Sequence, residues 1–112
     1  MATIKSYTDI EQSKKLAKIL PIESADMIYP VNFDFPFIWI EKPEKDKDTI
    51  PCWSLAALLE IFPKGYSAIL SKSFNGKNYF CIIDGKPIET IADNPVDACM
   101  AMIEKLHELK ML

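Results

Sequence analysis

The side chains able to do covalent chemistry are few and widely spaced. There are three cysteines, Cys52, Cys81 and Cys99, and one histidine, His107. Cys52 stands beside Trp53 near an expected helix start, where the helix dipole lowers a thiol pKa. A catalytic cysteine also needs a base, and His107 is the one candidate. The plainer reading is three buried, reduced thiols, since an odd number at irregular spacing makes a poor disulfide framework. His107 lies one helical turn from Glu104 and near an expected helix C-terminus, which favours its charged form. Without a second histidine or a closely spaced cysteine pair, the chain has no metal-ligand spacing. Glu23 and Asp26 form a carboxylate pair of the kind used in acid/base chemistry. Nothing near them in sequence supplies a nucleophile or a metal partner. All three glycines (Gly65, Gly76, Gly85) fall in expected turns. None remains for a phosphate-cradling loop, so P-loop and Rossmann fingerprints are excluded. No catalytic, cofactor-binding or metal residue is expected.

Binding chemistry is better represented. Phe33, Phe35, Phe37 and Trp39 recur at every second position. An extended segment would place all four on one face. Phe37–Ile40 reads as a buried or interface strand, and Pro36 marks its start or a sheet edge. Such aromatics are most simply core, but left exposed they would offer large contact area to a partner. A base-stacking platform would need interleaved basic residues, which Val31–Ile40 lacks. Lys14, Lys15 and Lys18 could form an anion-binding patch, although Asp9 and Glu11 dilute it into an ordinary solvated helix face. All thirteen basic residues are lysine. The absence of arginine removes the fork used for bidentate recognition of guanine and phosphate. Nucleic acid is not the expected partner.

These residues must be positioned by a modest set of elements. Thr8 and Glu11 read as a capping box that opens a first helix, with Ile10, Leu16, Ala17, Ile19 and Leu20 as its buried stripe and Pro21 as its stop. Glu23–Tyr29 reads as one helical turn or an edge strand. Lys42–Asp48 is a mixed-charge loop. A second helix is expected from Trp53 to Phe62, apolar nearly all round and so buried on most sides. Asn75-Gly76 predicts a type I′ hairpin that pairs Phe74 with Lys77, Lys72 with Tyr79, Leu70 with Cys81 and Ala68 with Ile83. Both hairpin faces then carry apolar groups, Ile69, Phe80 and Ile82 among them, so the second face needs a cover. Asp84-Gly85 returns the chain through a short edge strand after Pro87. Asn94, Pro95 and Asp97 start the last helix as cap, first residue and dipole partner. Val96, Cys99, Met102, Ile103, Leu106 and Leu109 form its stripe, widened by Ala98 and Met100.

At 112 residues, 49% hydrophobic and 26% charged, the chain fits one globular domain without staples. The opening residues show no apolar signal segment, and no apolar run reaches the ~20 residues needed to span a bilayer. The expectations are no membrane association and a cytoplasmic location.

Three stretches carry a resemblance when taken together. They are Glu11–Leu16 with Leu20–Met27, Ile50–Glu60, and Ala92–Ala98 with the helix after it. In that order they resemble a group of short uncharacterised proteins from phages, prophages and mobile elements of gut Bacteroides-type bacteria. None of the motifs is a catalytic signature. The resemblance implies a phage-related accessory protein in a bacterial cytoplasm, and it carries no functional residues over.

The expected architecture is a single α+β domain spanning residues 1–112, with three helices packed on a small, mainly antiparallel sheet. The expected function is a non-enzymatic protein-interaction module, either a homo-oligomer (a dimer) or a binder of another protein. Its candidate interface is Phe33, Phe35, Phe37, Trp39, Trp53, Ile69, Phe80 and Ile82. The alternatives are a small enzyme with a site near Cys52 or Glu23/Asp26, and a weak nucleic-acid binder using Lys14, Lys15, Lys18 and the aromatics.

Overall fold

A computed structural model describes residues 5–30, 33–39 and 49–112. The fold is α+β, with three helices and two small antiparallel sheets of three strands each. The charged stretch Lys42–Asp48 lies outside the described residues, as does Ile40.

Helix α1 spans Ile10–Leu16. Its cap is one residue later than the Thr8–Glu11 box. Asp9 accepts from the Gln12 amide at 2.8 Å, and the Gln12 side chain accepts from the Asp9 amide at 3.1 Å. Aspartate outranks threonine as an N-cap, and the shift frees the Thr8 hydroxyl for the interior. Leu16 is buried as expected, whereas Ala17 is exposed because the helix has already ended.

The ambiguous Glu23–Tyr29 stretch is a turn followed by a strand. A 3-10 turn covers Ile22–Ser24, and strand β1 covers Met27–Tyr29. β1 is central, flanked by β2 (Phe37–Ile38) and β3 (Ile50–Cys52), so the edge-strand expectation is overturned. Pro51 pairs with Ile28 but sits on an outer strand, where a missing donor is tolerated. Tyr7 adds an isolated bridge to Ser54 beyond the end of β3.

Helix α2 spans Leu55–Ile61 with Ser54 as N-cap, so it is shorter than Trp53–Phe62. It is not buried on most sides, because Ala56, Leu59 and Glu60 are exposed.

The second sheet is β4 (Ala68–Lys72), β5 (Tyr79–Ile83) and β6 (Ile88–Ala92), in that order. The pairs Lys72–Tyr79, Leu70–Cys81 and Ala68–Ile83 are as the Asn-Gly signal requires. The turn itself differs. Gly76 donates to the Ser73 carbonyl at 3.0 Å and has φ +73°, while Asn75 keeps a negative φ, which excludes type I′. Side chains account for the longer loop. Asn75 Oδ1 accepts from the Lys77 amide at 3.0 Å, and Ser73 Oγ accepts from the Asn78 amide at 3.1 Å. Phe74 therefore leaves the ladder and stands in solvent. β6 is an outer strand directly after Pro87, as expected.

Helix α3 spans Pro95–Glu108 and starts as its sequence signals require. Asn94 Oδ1 accepts from the Asp97 amide at 2.8 Å, with Pro95 in the first turn. Val96, Cys99, Met102, Ile103 and Leu106 are fully buried against the second sheet and α2, whereas Leu109 is exposed. The helix ends in a Schellman motif. Met111 donates to the Leu106 carbonyl at 2.9 Å and Lys110 to the His107 carbonyl at 3.1 Å. Lys110 holds φ +59°, a left-handed conformation that glycine adopts without steric cost. The variant Lys110→Gly is expected to gain about 0.5–1 kcal/mol of stability, read as a higher thermal midpoint.

The N-terminal segment is tied to the start of α3. Lys5 Nζ lies 2.8 Å from Asp97 and 3.1 Å from Asp9, and Gln12 and Asn94 each donate to Asp97 at 2.8 Å. Burial alone raises the Asp97 pKa, but the hydrogen bonds from Lys5, Gln12 and Asn94 outweigh it and hold the carboxyl below its ordinary range. A depressed folded pKa stabilises above the unfolded value of about 3.9, and this contribution is lost as pH falls through the folded pKa. Asp97→Asn is therefore expected to cost about 1 kcal/mol at neutral pH, allowing for partial solvent exposure. The gap from wild type should close below about pH 4, as followed by urea melts across the acid limb.

Candidate functional site

The chemistry-bearing residues separate into a buried network, an acidic groove and two exposed apolar surfaces. The buried network centres on Thr8. Its hydroxyl accepts from the Trp53 amide at 3.1 Å and lies 2.8 Å from Ser13 Oγ. Its carbonyl accepts from Tyr29 Oη at 2.7 Å and Cys52 Sγ at 3.3 Å. Cys52 ends β3 instead of standing at a helix N-terminus, and it is fully buried. Burial pushes its thiol up despite hydrogen bonds to Thr8, Ser13 and Tyr29, the opposite of an activated nucleophile. Burial and then the neighbouring Cys52 also raise the Tyr29 phenol. Cys81 on β5 and Cys99 on α3 meet in the helix–sheet interface. Hydrogen bonding to Cys81, then burial, pushes Cys99 up. All three cysteines are unpaired, buried thiols. His107 is exposed on α3. Among the described residues, no group of three His, Cys, Asp or Glu side chains could hold a metal ion. Lys14, Lys15 and Lys18 are all exposed.

Glu23 and Asp26 do come together, and a third carboxylate joins them that the sequence reading missed. Both line a groove of about 680 Å³ whose other side is α2. Ala56, Ala57, Glu60 and Ile61 supply that side, because 56/60 and 57/61 are each about one helical turn apart. Ile38 and Trp39 also line the groove. Asp26 is fixed in place: its carboxylate accepts from the Ser54 amide at 2.9 Å and from the Ser54 hydroxyl. It thus steadies the cap of α2. The signal for Glu60 was its isolation as the one charge inside an apolar helix.

The aromatic run divides. Phe33, Phe35 and Phe37 are about half exposed and pack edge-to-face, with ring centroids 5.4–5.6 Å apart. Trp39 points into the core instead, so the four aromatics do not share one face. Phe37 and Ile38 are exposed, so of the two alternatives for Phe37–Ile40, a buried or an interface strand, the described strand is not the buried one. Trp53 is also corrected from candidate interface to core. It is 0% exposed, and its indole nitrogen donates to Ser24 Oγ at 2.9 Å.

Register explains the remaining candidates. Helix α3 covers the face of the second sheet that carries Cys81, Ile83 and Ile88, and Thr90 Oγ1 donates to the Ala98 carbonyl there at 2.7 Å. The opposite face has one cross-strand row of Ile69, Ile82 and Glu89 and another of Ser71, Phe80 and Ile91. Ile69 is 43% exposed and Ile91 54%, with Phe80 and Ile82 half-buried between them. Of the described elements, α3 alone packs broadly on this sheet, and it lies on the other side.

No protein-family model, curated protein or solved structure matches the chain. No helix among the described residues is long and apolar enough to cross a membrane.

Proposed function

We propose that the protein is a non-enzymatic interaction module that self-associates through the open face of its second sheet. The observation that carries this reading is the apolar cross-strand patch of Ile69, Ile82, Phe80 and Ile91 opposite the α3-covered face. Contiguous apolar surface of this kind is where soluble chains meet partners. Two copies related by a two-fold axis would bury the same patch on both, sheet against sheet. The environment of Cys52 supports a non-enzymatic reading, since a buried thiol with a raised pKa is inert. The resemblance to phage- and prophage-associated proteins extends the proposal to a small accessory protein of a mobile element, working in a bacterial cytoplasm.

Sedimentation equilibrium tests the reading with wild type, Ile69→Lys and Ile91→Lys. Both positions are exposed, so each substitution is expected to change monomer stability by no more than about 0.5 kcal/mol. Wild type is expected to be dimeric, and each variant monomeric with an unchanged circular dichroism spectrum. A wild-type chain that remains monomeric up to about 100 μM would remove the reading.

A further inference from the structure

We propose that Cys81 and Cys99 are a redox pair, which hydrogen peroxide converts into an internal disulfide that fastens α3 to β5. The pair lies on the face of the second sheet that α3 covers. It is away from the open face, so the proposal goes beyond self-association and stands or falls separately.

The register and one side-chain bond bring the two residues together. Leu70, Cys81 and Thr90 are directly opposite one another across β4, β5 and β6, so their side chains form one row toward α3. At the β6 end of that row, Thr90 Oγ1 donates to the Ala98 carbonyl at 2.7 Å. This ties the row to the residue just before Cys99. Cys99 itself belongs to the buried stripe of α3. Cys81 and Cys99 are each 0% exposed within the same core cluster, and their thiols hydrogen-bond one another. Facing sulfurs in contact are the starting geometry that a disulfide needs. Cys52 stands apart on the first sheet, with its thiol donating to the Thr8 carbonyl at 3.3 Å.

The two thiols are not equivalent. The hydrogen bond from Cys99 outweighs burial and holds the Cys81 thiol below its ordinary range, whereas Cys99 is pushed up. Cys81 is therefore the sulfur that reacts first, since the thiolate is the nucleophile. It attacks one peroxide oxygen, the O–O bond breaks, and Cys81 sulfenic acid and one water result. The Cys99 sulfur then attacks the Cys81 sulfur. The S–O bond breaks, and the departing oxygen leaves as a second water with the Cys99 proton. The thiols give up two electrons and two protons in total, and the peroxide is reduced to water.

Burial selects the oxidant. Hydrogen peroxide is little larger than water, whereas a bulky disulfide reagent reaches neither sulfur until α3 lifts from the sheet. In a reducing compartment such a bond is transient and reports oxidation. Its effect on the fold is to close a loop of roughly nineteen residues, which restricts the unfolded chain.

The test treats the purified full chain with hydrogen peroxide under native conditions, removes the peroxide with catalase, and counts thiols after unfolding. The count is expected to fall from three to one, with Cys52 the thiol that remains. A non-reducing peptide map should show a Cys81–Cys99 link within one chain, and dithiothreitol should restore all three thiols. The oxidised chain should melt roughly 10 °C above the reduced one. Cys99→Ser should abolish the link and leave Cys81 as a sulfenic acid that dimedone traps, whereas Cys52→Ser should leave the link unchanged. Circular dichroism establishes that each variant is folded. Three thiols that persist, a link to Cys52 or between chains, or a midpoint that does not rise overturns the inference. A monomeric wild type that still forms the link would remove the self-association reading and leave this one intact.

Discussion

Trp53→Ala is expected to destabilise the fold by about 4 kcal/mol, since the change removes the largest fully buried side chain and leaves a cavity. It also deletes the indole donor to Ser24, which helps hold the 3-10 turn against β3. Against a typical total of roughly 5–15 kcal/mol, this brings the chain close to unfolding. Urea denaturation followed by far-ultraviolet circular dichroism reads the effect directly. Trp53→Phe, which keeps most of the volume but loses the donor, should cost less. The result also separates two roles for this residue. An interface tryptophan would change association and leave the monomer's midpoint nearly unmoved. A loss below about 1 kcal/mol would contradict its place in the core.

Thr8→Val should cost about 2–3 kcal/mol, although the side chains have nearly the same shape. The Trp53 amide would lose its acceptor and Ser13 Oγ its partner, both in the interior. An unmade buried hydrogen bond costs the desolvation of the group left behind. The backbone contacts of Thr8 with Tyr29, Cys52 and the Trp53 carbonyl would survive, so the fold should persist in weakened form. Thr8→Ser keeps the hydroxyl and should recover most of the loss. Asp9→Ala should cost about 1 kcal/mol, the usual value of an N-cap. If Thr8→Ser were as damaging as Thr8→Val, the hydroxyl would not be the reason, and the network would need another account.

These two residues show where local reading stops. Thr8 and Asp9 can each cap with a partner three residues on, Glu11 or Gln12, and the modest edge of aspartate over threonine does not decide between them alone. The preference comes from Trp53, forty-five residues later, whose amide requires the Thr8 hydroxyl. Likewise, Trp53 reads as the first residue of an apolar helix, yet Ser54 is the residue that caps α2. Trp39 looked like the fourth member of an aromatic face. It is buried in the core while Phe33, Phe35 and Phe37 stay about half exposed, and which aromatics are covered depends on elements distant in sequence.

Much was legible because its causes are local. Asn94, Pro95 and Asp97 start α3, and its apolar spacing selects the buried stripe up to Leu106. Asn75-Gly76 centres the β4–β5 pairing without help from the rest of the chain, whereas Asp84-Gly85 signals the return to β6 but not its register, since Ile83 pairs with Ile88 and not with the Lys86 that a two-residue turn would give. That register by itself puts apolar side chains on both faces of the sheet. The α+β class with three helices follows from the same signals. Tertiary structure alone decided which face α3 would cover, that β1 would be central in a second sheet, and that Glu60 would stand across a groove from Glu23 and Asp26. Turns and caps are set by hydrogen bonds within a few residues. Grooves and open faces are set by which distant elements compete for the same apolar surface, and that competition is resolved only when the whole chain packs.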